Sequence, residues 1–167
     1  RSETTYGERR LVPVWEFVPF RHELTFIHEN QNQTPRDFAP GKKPGLSTVA
    51  GHRIATVICF ESAFGYQVRP LVHAGAQVIV VSTNNRSYRR SANSAQHVAI
   101  GQMRAAETGR PVVQAAISGI SALIDAHGRL LTRTRLFDRP AVTPPVEGTR
   151  GATPDGRFGE GGGGGCI

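Results

Sequence analysis

Residues 54–61, which read IATVICFE, decide the fold of this chain. The run before Phe60 carries no charge and is mostly apolar and β-branched, which is typical of a buried β-strand. The strand ends in Cys59, and Glu61 follows two positions later. A thiol at such a place can act as a nucleophile when a neighbouring group takes its proton or lowers its pKa. The competing interpretation is structural, because cysteine outside disulfides is among the most buried residue types.

The residues around this strand predict a parallel sheet. Residues 46–49 predict a preceding strand, residues 66–74 carry apolar side chains at helical spacing, and residues 77–82 (QVIVVS) predict a second buried strand. Strand, helix and strand form a βαβ crossover, which places the two strands side by side and parallel in an α/β sheet. Asn84 and Asn85 follow the second strand at its carboxyl end, where open α/β sheets bind their ligands.

The clearest helix in the sequence spans residues 93–108. It carries Val, Ala and Met among Gln and Arg, and Gly109 followed by Arg-Pro ends it. Arg104 and Glu107 are three residues apart, so they can form an ion pair along the helix. His97 also falls on this helix, where a hydrogen-bonded structural histidine is more common than a catalytic one. No second His or Cys stands at metal-ligand spacing from it, so the sequence predicts neither a metal nor a cofactor.

Length and charge narrow the class of protein. The 167 residues are suited to one domain, with a formal net charge of +7 from 20 Lys+Arg against 13 Asp+Glu. The basic residues are scattered and form no patch interleaved with aromatic residues, so a nucleic-acid partner is not expected. No stretch reaches the roughly 20 apolar residues that a membrane-spanning helix needs, so the chain alone is expected to be soluble.

The carboxyl-terminal part of the sequence differs from the rest. From residue 138 onward Pro, Gly and charged residues dominate, and residues 161–165 are all glycine. We therefore predict a folded domain over residues 1–140 and a Pro- and Gly-rich, disordered tail over residues 141–167. Cys166 lies in that tail, so a disulfide with Cys59 is not expected.

A carboxylate stands inside the apolar run LVPVWEFVPF at residues 11–20. Pro13 and Pro19 exclude a helix interior and a central strand, which leaves an edge strand or an extended loop. Glu16 within this run needs a polar partner or a chemical role, since burying a charge is costly. The alternative is a glutamate on the solvent-facing side of an edge strand.

Five segments in order resemble the nitrilase, or carbon-nitrogen hydrolase, superfamily and, within it, the apolipoprotein N-acyltransferase family. They are LVPVWEFVPF at 11–20, VICFES at 57–62, SAQH at 94–97, RAAETGRPVV at 104–113 and SGISALIDAHG at 118–128. Each segment alone is weak, but the shared order and spacing of all five make the match specific. The resemblance covers most of residues 6–130.

The resemblance implies a nitrilase-like four-layer αββα sandwich, here without its amino-terminal part, and a Cys-Glu-Lys catalytic set. Cys59 matches the nucleophile, and Glu16 and Glu61 match glutamates that the family needs near it. The implied reaction moves a fatty acyl group from a phospholipid, through a cysteine thioester, to the N-terminal cysteine of an apolipoprotein. The implied location of the whole protein is the bacterial cell membrane, with this domain on the extracytoplasmic side and the membrane segments outside the residues given.

Several positions depart from the family pattern, among them Trp15 in place of a glycine and Asn85-Arg86 in place of an acid and its neighbour, and position 8 matters most. The resemblance implies an oxyanion-stabilising lysine at position 8, where this sequence has Glu8, and it places the general-base glutamate upstream of residue 1. We therefore expect impaired acyl transfer. Two other interpretations stay open, namely a soluble carbon-nitrogen hydrolase that acts on a small amide through Cys59, and a non-catalytic remnant.

Overall fold

The structure is a computed structural model, and it describes residues 6–9, 39–86, 91–136, 145–151 and 153. The chain divides into two compact units, Arg1–Pro44 and Gly45–Ile167. In the first unit the backbone N–H of Gly41 donates to the carbonyl oxygen of Glu8 at 2.6 Å. Glu16 lies outside the described residues. All elements named below belong to the second unit.

The described part of the second unit contains strands, α-helices and one short 3-10 helix. The strands are β1 (Leu46–Val49), β2 (His52–Ile58), β3 (Val78–Thr83), β4 (Val112–Ala116), β5 (Ala122–Ile124) and β6 (Leu130–Arg133). The helices are the 3-10 helix Cys59–Ala63, α1 (Gly65–His73) and α2 (Asn93–Thr108). The helix predicted over residues 93–108 is confirmed, and the elements predicted around Cys59 differ only at their ends. Neither α1 nor α2 has the length and apolar character that crossing a bilayer requires, and no other described helix does.

The strands form one mixed sheet in the order β1-β2-β3-β4-β5-β6. β2, β3 and β4 are parallel, whereas β1, β5 and β6 pair antiparallel to their neighbours. α1 connects β2 to β3 and α2 connects β3 to β4, so two consecutive βαβ crossovers build the centre of the sheet. The predicted crossover is confirmed, and the carboxyl ends of the three parallel strands share one edge of the sheet.

One face of the sheet and the two helices enclose the core. Alternate residues of neighbouring strands lie in register on this face, for example Ala55 beside Ile79. Both are 0% exposed. The helices add buried apolar side chains to the same cluster, namely Val68, Leu71, Val98 and Ala105. Burying a large apolar side chain contributes about 1.5–3 kcal/mol, so this cluster determines how α1 and α2 lie against the strands.

The other face of the central strands is also apolar but only half-buried. Its apolar residues include Ile54, Ile58, Val78, Val80 and Val113. Parallel strands with apolar residues on both faces are typical of a sheet that is covered on both sides. The predicted α/β class is confirmed, and this second apolar face is what a sandwich of two sheets requires. The second sheet of the predicted four-layer sandwich is not among the strands of the described residues.

Residues 145–151 lie against the amino ends of the parallel strands. The N–H of Thr149 donates to the carbonyl of Gln77 at 3.2 Å, and its hydroxyl donates to the carbonyl of Gly109 at 2.5 Å. These contacts involve residues beyond position 140. Where the folded domain ends, and whether the remaining residues are disordered, stay predictions.

Candidate active site

The backbone bends sharply where β2 ends. β2 stops at Ile58, and Cys59 takes a φ of 49° and begins the 3-10 helix. A positive φ is rare for a residue with a side chain and costs on the order of 1–3 kcal/mol, so neighbouring contacts must hold it. Cys59 is half-buried and is not in a disulfide. The bend places its thiol at the carboxyl edge of the parallel strands. The sequence predicts a strand that ends in Cys59, whereas β2 ends one residue earlier, at Ile58.

Two side chains fix the carbonyl oxygen of Cys59. The Ser62 hydroxyl donates to it at 2.9 Å, and Nε2 of His97 lies 3.1 Å from it. Ser62 Oγ and His97 Nε2 are themselves 3.1 Å apart, so the three groups form a closed triangle. Ser62 is 1% exposed and His97 is 4% exposed. Because the carbonyl is held from two sides in a buried place, the strained backbone of Cys59 cannot relax without breaking hydrogen bonds.

Glu61 stabilises the same bend through Ile58, the residue before Cys59. Its side chain is buried, and Oε2 accepts the backbone N–H of Ile58 at 2.9 Å. The first N–H groups of a helix lack partners within it, so a carboxylate placed there satisfies a donor and stabilises the helix start. Glu61 is therefore beside Cys59 as part of the bend that presents the thiol.

His97 connects the bend to the end of β3. It lies on α2, and its Nδ1 is 3.3 Å from the side-chain oxygen of Asn85. Asn85 follows β3 and is 1% exposed, and its Oδ1 also accepts the hydroxyl of Thr83 at 2.8 Å. The β3–α2 crossover therefore brings the ends of two neighbouring parallel strands onto one histidine.

Burial lowers the pKa of His97 below its usual 6.5, and the hydrogen bond to the Cys59 carbonyl raises it by less. His97 is therefore neutral near pH 7 and carries one ring proton. A carbonyl oxygen only accepts, so a hydrogen bond to Cys59 places this proton on Nε2 and leaves Nδ1 as an acceptor. Nδ2 of Asn85 is buried without a hydrogen-bond partner among the described residues. Turning the Asn85 amide by 180° lets Nδ2 donate both to Nδ1 of His97 and to the Thr83 hydroxyl oxygen, which then accepts instead of donating.

Gly119 closes the site against Asn85. It lies between β4 and β5 with a φ of 112°, and a Cβ at this position would come 2.8 Å from the Cβ of Asn85. Both the backbone conformation and the close approach therefore require glycine. The backbone N–H of Asn85 also donates to the carbonyl of Ser118 at 3.0 Å, so the turn holds Asn85 in place.

An exposed aromatic cluster follows Cys59. The rings of Phe60 and Phe64 meet edge to face with centroids 5.3 Å apart, and those of Phe64 and Tyr66 are 5.5 Å apart. Phe60 is 43% exposed and Tyr66 is 48% exposed. Aromatic side chains exposed together offer a surface for the apolar part of a ligand.

Ion pairs brace the helices under the site. Arg104 lies 2.5 Å from Glu107 along α2, which confirms the predicted pair. Arg69 of α1 lies 2.7 Å from the same glutamate, so one carboxylate joins the two helices. This shared pair fixes α2, and with it the position of His97.

The structure places two of the three predicted site residues at the bend. Cys59 and Glu61 lie together there, while Glu16 is outside the described residues. The chemical roles of all three stay predictions. In residues 39–86 and 91–136, as in the rest of the described chain, no three His, Cys, Asp or Glu side chains are arranged to hold a metal ion.

Sequence reasoning did not select the residues that hold Cys59. The sequence favours a structural His97 and gives no reason to choose Ser62. One signal was available, since Ser94, three positions before His97, and Gly101, four positions after it, place small residues on the same helix face. A helix face of this composition indicates close packing against a polar site rather than against an apolar core.

The sequence matches a known protein family, and the fold is similar to that of a solved structure. Residues 3–140 match the model of the carbon-nitrogen hydrolase family. The chain belongs to that family. An amidase from Nesterenkonia sp. is similar in structure, with a TM-score of 0.54 at 19% sequence identity, over 77% of this chain and 44% of that one. At this identity the likeness shows the fold alone, and it agrees with the predicted nitrilase-type architecture.

Curated relatives within the family share one name. An apolipoprotein N-acyltransferase from Shewanella oneidensis is 33% identical over 150 residues, which is 89% of this chain and 29% of that protein. One from Nitrosomonas europaea is 34% identical over 161 residues, which is 94% of this chain and 32% of that protein. The resemblance that the five segments indicate is confirmed. The chain spans about a third of the length of these relatives.

Proposed function

We propose that this chain is part of the catalytic domain of an apolipoprotein N-acyltransferase, with Cys59 as its nucleophile. The observation that carries the proposal is the bend after β2, where Ser62, His97 and Glu61 hold the backbone around a thiol at the sheet edge. Relatives of that name, 33% and 34% identical over most of the chain, support acyl transfer rather than another reaction of the family.

The proposed reaction has two steps. In the first, the Cys59 thiolate attacks the ester carbonyl carbon of a phospholipid, the S–C bond forms and the ester C–O bond breaks. The lysophospholipid leaves as an alcohol, with the proton that the thiol gave up. In the second, the N-terminal amino group of the apolipoprotein attacks the thioester carbon, the C–N bond of an amide forms and the C–S bond breaks, and the proton lost by the amine returns Cys59 to its thiol form. The family pattern assigns the proton transfer in each step to a general-base glutamate, and Glu16 is carried over from that pattern only as a glutamate needed near the nucleophile.

His97 and Ser62 act as positioning residues in this proposal. Nε2 of His97 lies against the main-chain oxygen of Cys59, and its lowered pKa leaves the ring neutral. Because Nε2 contacts the Cys59 carbonyl and Nδ1 contacts Asn85, His97 has no ring nitrogen left to serve as the base for the thiol. Its proposed contribution is to keep Cys59 in the orientation that attack on a carbonyl requires.

The acyl chain is proposed to lie along the aromatic cluster of Phe60, Phe64 and Tyr66. These rings follow the nucleophile directly, and two of them are exposed. An apolar surface beside the thioester suits a fatty acyl group better than it suits a small amide. Because the donor is a membrane lipid, we place the whole protein at the bacterial cell membrane with this domain on the extracytoplasmic side.

Intact-mass spectrometry tests the proposal. The chain is incubated with phosphatidylethanolamine vesicles, and we expect the mass of one fatty acyl group on Cys59, removable by neutral hydroxylamine. Cys59→Ala should give no adduct. Glu8→Lys supplies the cation that the family pattern implies and should raise the rate of labelling at least about tenfold. Glu147→Lys makes the same charge change at an exposed position and should leave the rate unaltered.

Two outcomes would contradict the proposal, and each would favour one of the other two interpretations. Release of ammonia from a small amide, with no dependence on lipid, would favour a carbon-nitrogen hydrolase. Absence of any adduct on Cys59, in both the unaltered chain and the Glu8→Lys variant, would favour a non-catalytic remnant.

A further inference from the structure

A cavity at the amino ends of the parallel strands gathers positive charge. Its volume is about 410 Å³, and it is bordered by the turn before β2, the start of β3 and residues 149–151. Arg53, Arg110 and Arg150 line it. The other described residues that line it are glycine, alanine, glutamine or threonine, and none is acidic.

Arg110 is the buried member of this group. It is 6% exposed, and its guanidinium donates to the backbone carbonyls of Ala76 at 2.8 Å, Gly109 at 3.0 Å and Gly151 at 2.6 Å. These carbonyls hold the plane of the guanidinium but carry no net charge. Burial lowers the pKa of Arg110, as expected for a cation removed from water without an anionic partner.

Arg53 and Arg150 are exposed at the mouth of the cavity. One nitrogen of Arg53 donates to a backbone carbonyl at the end of α1. Within the described ranges, no carboxylate forms an ion pair with any of the three arginines. The contrast within the same unit is clear, because Arg69 and Arg104 both pair with Glu107. Arginines that brace the helices have a counter-charge, and those around the cavity do not.

The shape of the arginine side chain restricts the ligand. A guanidinium presents a planar fork that binds a carboxylate or a phosphate through two parallel hydrogen bonds. A carboxylate has two oxygens, so a single fork occupies it. Inorganic phosphate and phosphate monoesters have three or four terminal oxygens and can engage two or three forks at once, whereas a phosphodiester has only two such oxygens. Three arginines around one cavity therefore fit a phosphate group better than a carboxylate.

We propose that this cavity binds a terminal phosphate group, carried either by a soluble phosphate monoester or by a lipid headgroup that ends in a phosphate monoester. Arg53 and Arg150 contact it from the open side, and Arg110 contacts it from the floor with its remaining N–H groups. The seven residues of β2 separate this end of the sheet from Cys59, which at about 3.3 Å per residue is roughly 20 Å. The phosphate site is therefore distinct from the place of ester cleavage, and it does not rest on the proposed acyl transfer.

Isothermal titration calorimetry with inorganic phosphate tests the site on the full 167-residue chain. We expect one saturable site, and the double variant Arg53→Gln/Arg150→Gln should weaken binding at least about tenfold, because charge-assisted hydrogen bonds are lost. The matched control is Arg129→Gln/Arg133→Gln, which removes the same charge from exposed residues next to or within β6. That control should bind phosphate within about twofold of the unaltered chain.

Either of two results would overturn the site. One is the lack of saturable phosphate binding by the unaltered chain, and the other is equal weakening in both double variants. Circular dichroism checks that each variant is folded. If the Arg53→Gln/Arg150→Gln variant does not fold, Arg150→Gln alone changes one exposed residue outside the helices and strands and makes the same test, with Arg133→Gln as its control.

Sedimentation with vesicles separates the two sources of phosphate. Retention by phosphatidic acid vesicles that is competed by inorganic phosphate, and that is lost in the Arg53→Gln/Arg150→Gln variant, identifies a lipid headgroup. Saturable phosphate binding without such retention identifies a soluble phosphate monoester. Phosphatidic acid retention that is unchanged in the variant, together with unchanged phosphate affinity, contradicts both.

Discussion

The two edges of the parallel strands bury polar groups in different ways. At the carboxyl edge His97 and Asn85 are buried but neutral, and they are hydrogen-bonded to each other. At the amino edge Arg110 is buried with its charge, and Arg53 and Arg150 add two more charges at the mouth of the same cavity. A neutral group needs only hydrogen bonds when it is buried, whereas a buried charge also needs an opposite charge.

The difference indicates what each edge is suited to do. The carboxyl edge uses the hydrogen bonds of Ser62, His97 and Glu61 to hold one residue, Cys59, in a backbone conformation that it would not adopt alone. The amino edge leaves a positive potential that a ligand can neutralise. The contrast supports the two proposed roles, a reaction at Cys59 at one edge and anion binding at the other.

The largest effect is expected from His97→Ala at the carboxyl edge. The change removes the contacts to the Cys59 carbonyl and to Asn85 and leaves a cavity between polar groups, so the free energy of unfolding should fall by about 3 kcal/mol. Urea unfolding followed by circular dichroism measures it. His127→Ala, at an exposed position, should change the free energy by less than about 0.5 kcal/mol. Equal losses in the two variants would mean that His97 does not hold the bend.

A smaller loss is expected from Arg110→Gln at the amino edge. The shorter side chain cannot reach all three carbonyls that Arg110 binds, but it also removes a desolvated charge, so the net loss of stability should be about 2 kcal/mol. Urea unfolding in phosphate-free buffer measures it against Arg133→Gln. A gain in stability on removing Arg110 would show that its charge costs more than its hydrogen bonds contribute, and would strengthen the contrast with His97.

The pH dependence of the free energy of unfolding should distinguish neutral His97 at one edge from charged Arg110 at the other. Because the pKa of folded His97 lies below 6.5, the unfolded chain binds more protons than the folded chain between these two values. The stability contributed by neutral His97 is therefore complete above about pH 6.5 and is lost as pH falls, with a slope of at most about 1.4 kcal/mol per pH unit. Urea unfolding at a series of pH values measures the slope.

His97→Asn should remove this contribution. The pKa of Asp125 is lowered from 3.8, chiefly by the backbone N–H of Arg129, so its titration falls at lower pH and does not mimic the effect. The same slope in the unaltered chain and in His97→Asn would assign the dependence to another group.

The smallest effect is a gain. Cys59→Gly should raise the free energy of unfolding by about 1 kcal/mol, because glycine adopts a positive φ without the strain of a side chain. Cys59→Ala keeps that strain and should give no gain. Ala50→Gly is the matched control because it relieves the same backbone strain away from the site. Ala50 also has a φ of 49°, and it lies in the turn between β1 and β2. A loss of stability in Cys59→Gly alone would mean that thiol contacts, rather than the strained backbone, dominate at the bend.

Much of the fold could be predicted because its signals are local. The apolar run before Cys59, the helical spacing over residues 93–108 and the stop at Gly109 each depend on residues that are close in sequence. Gly109 has a φ of 62° at the end of α2, as a glycine at a helix end predicts. The order of strand, helix and strand then restricts the topology to parallel neighbours.

The site was predictable only in part. A cysteine that ends a buried strand and a glutamate two positions later are visible in the sequence, and both lie at the bend. The triangle of Cys59, Ser62 and His97 is not visible there, because 38 residues separate Cys59 from His97. The small residues Ser94 and Gly101 on its helix face indicate close packing, but they do not identify the group that His97 contacts.

By itself, the sequence determined the strands, the helices, the parallel crossover and the family, because hydrophobic periodicity and short motifs are properties of neighbouring residues. Only the tertiary structure decided what surrounds Cys59 and what surrounds Arg110. Both environments form where separate elements meet at one edge of the sheet, and the packing of α1 and α2 on the strands sets the distances there. Whether a buried polar group is neutral and paired, or charged and unpaired, depends on those distances.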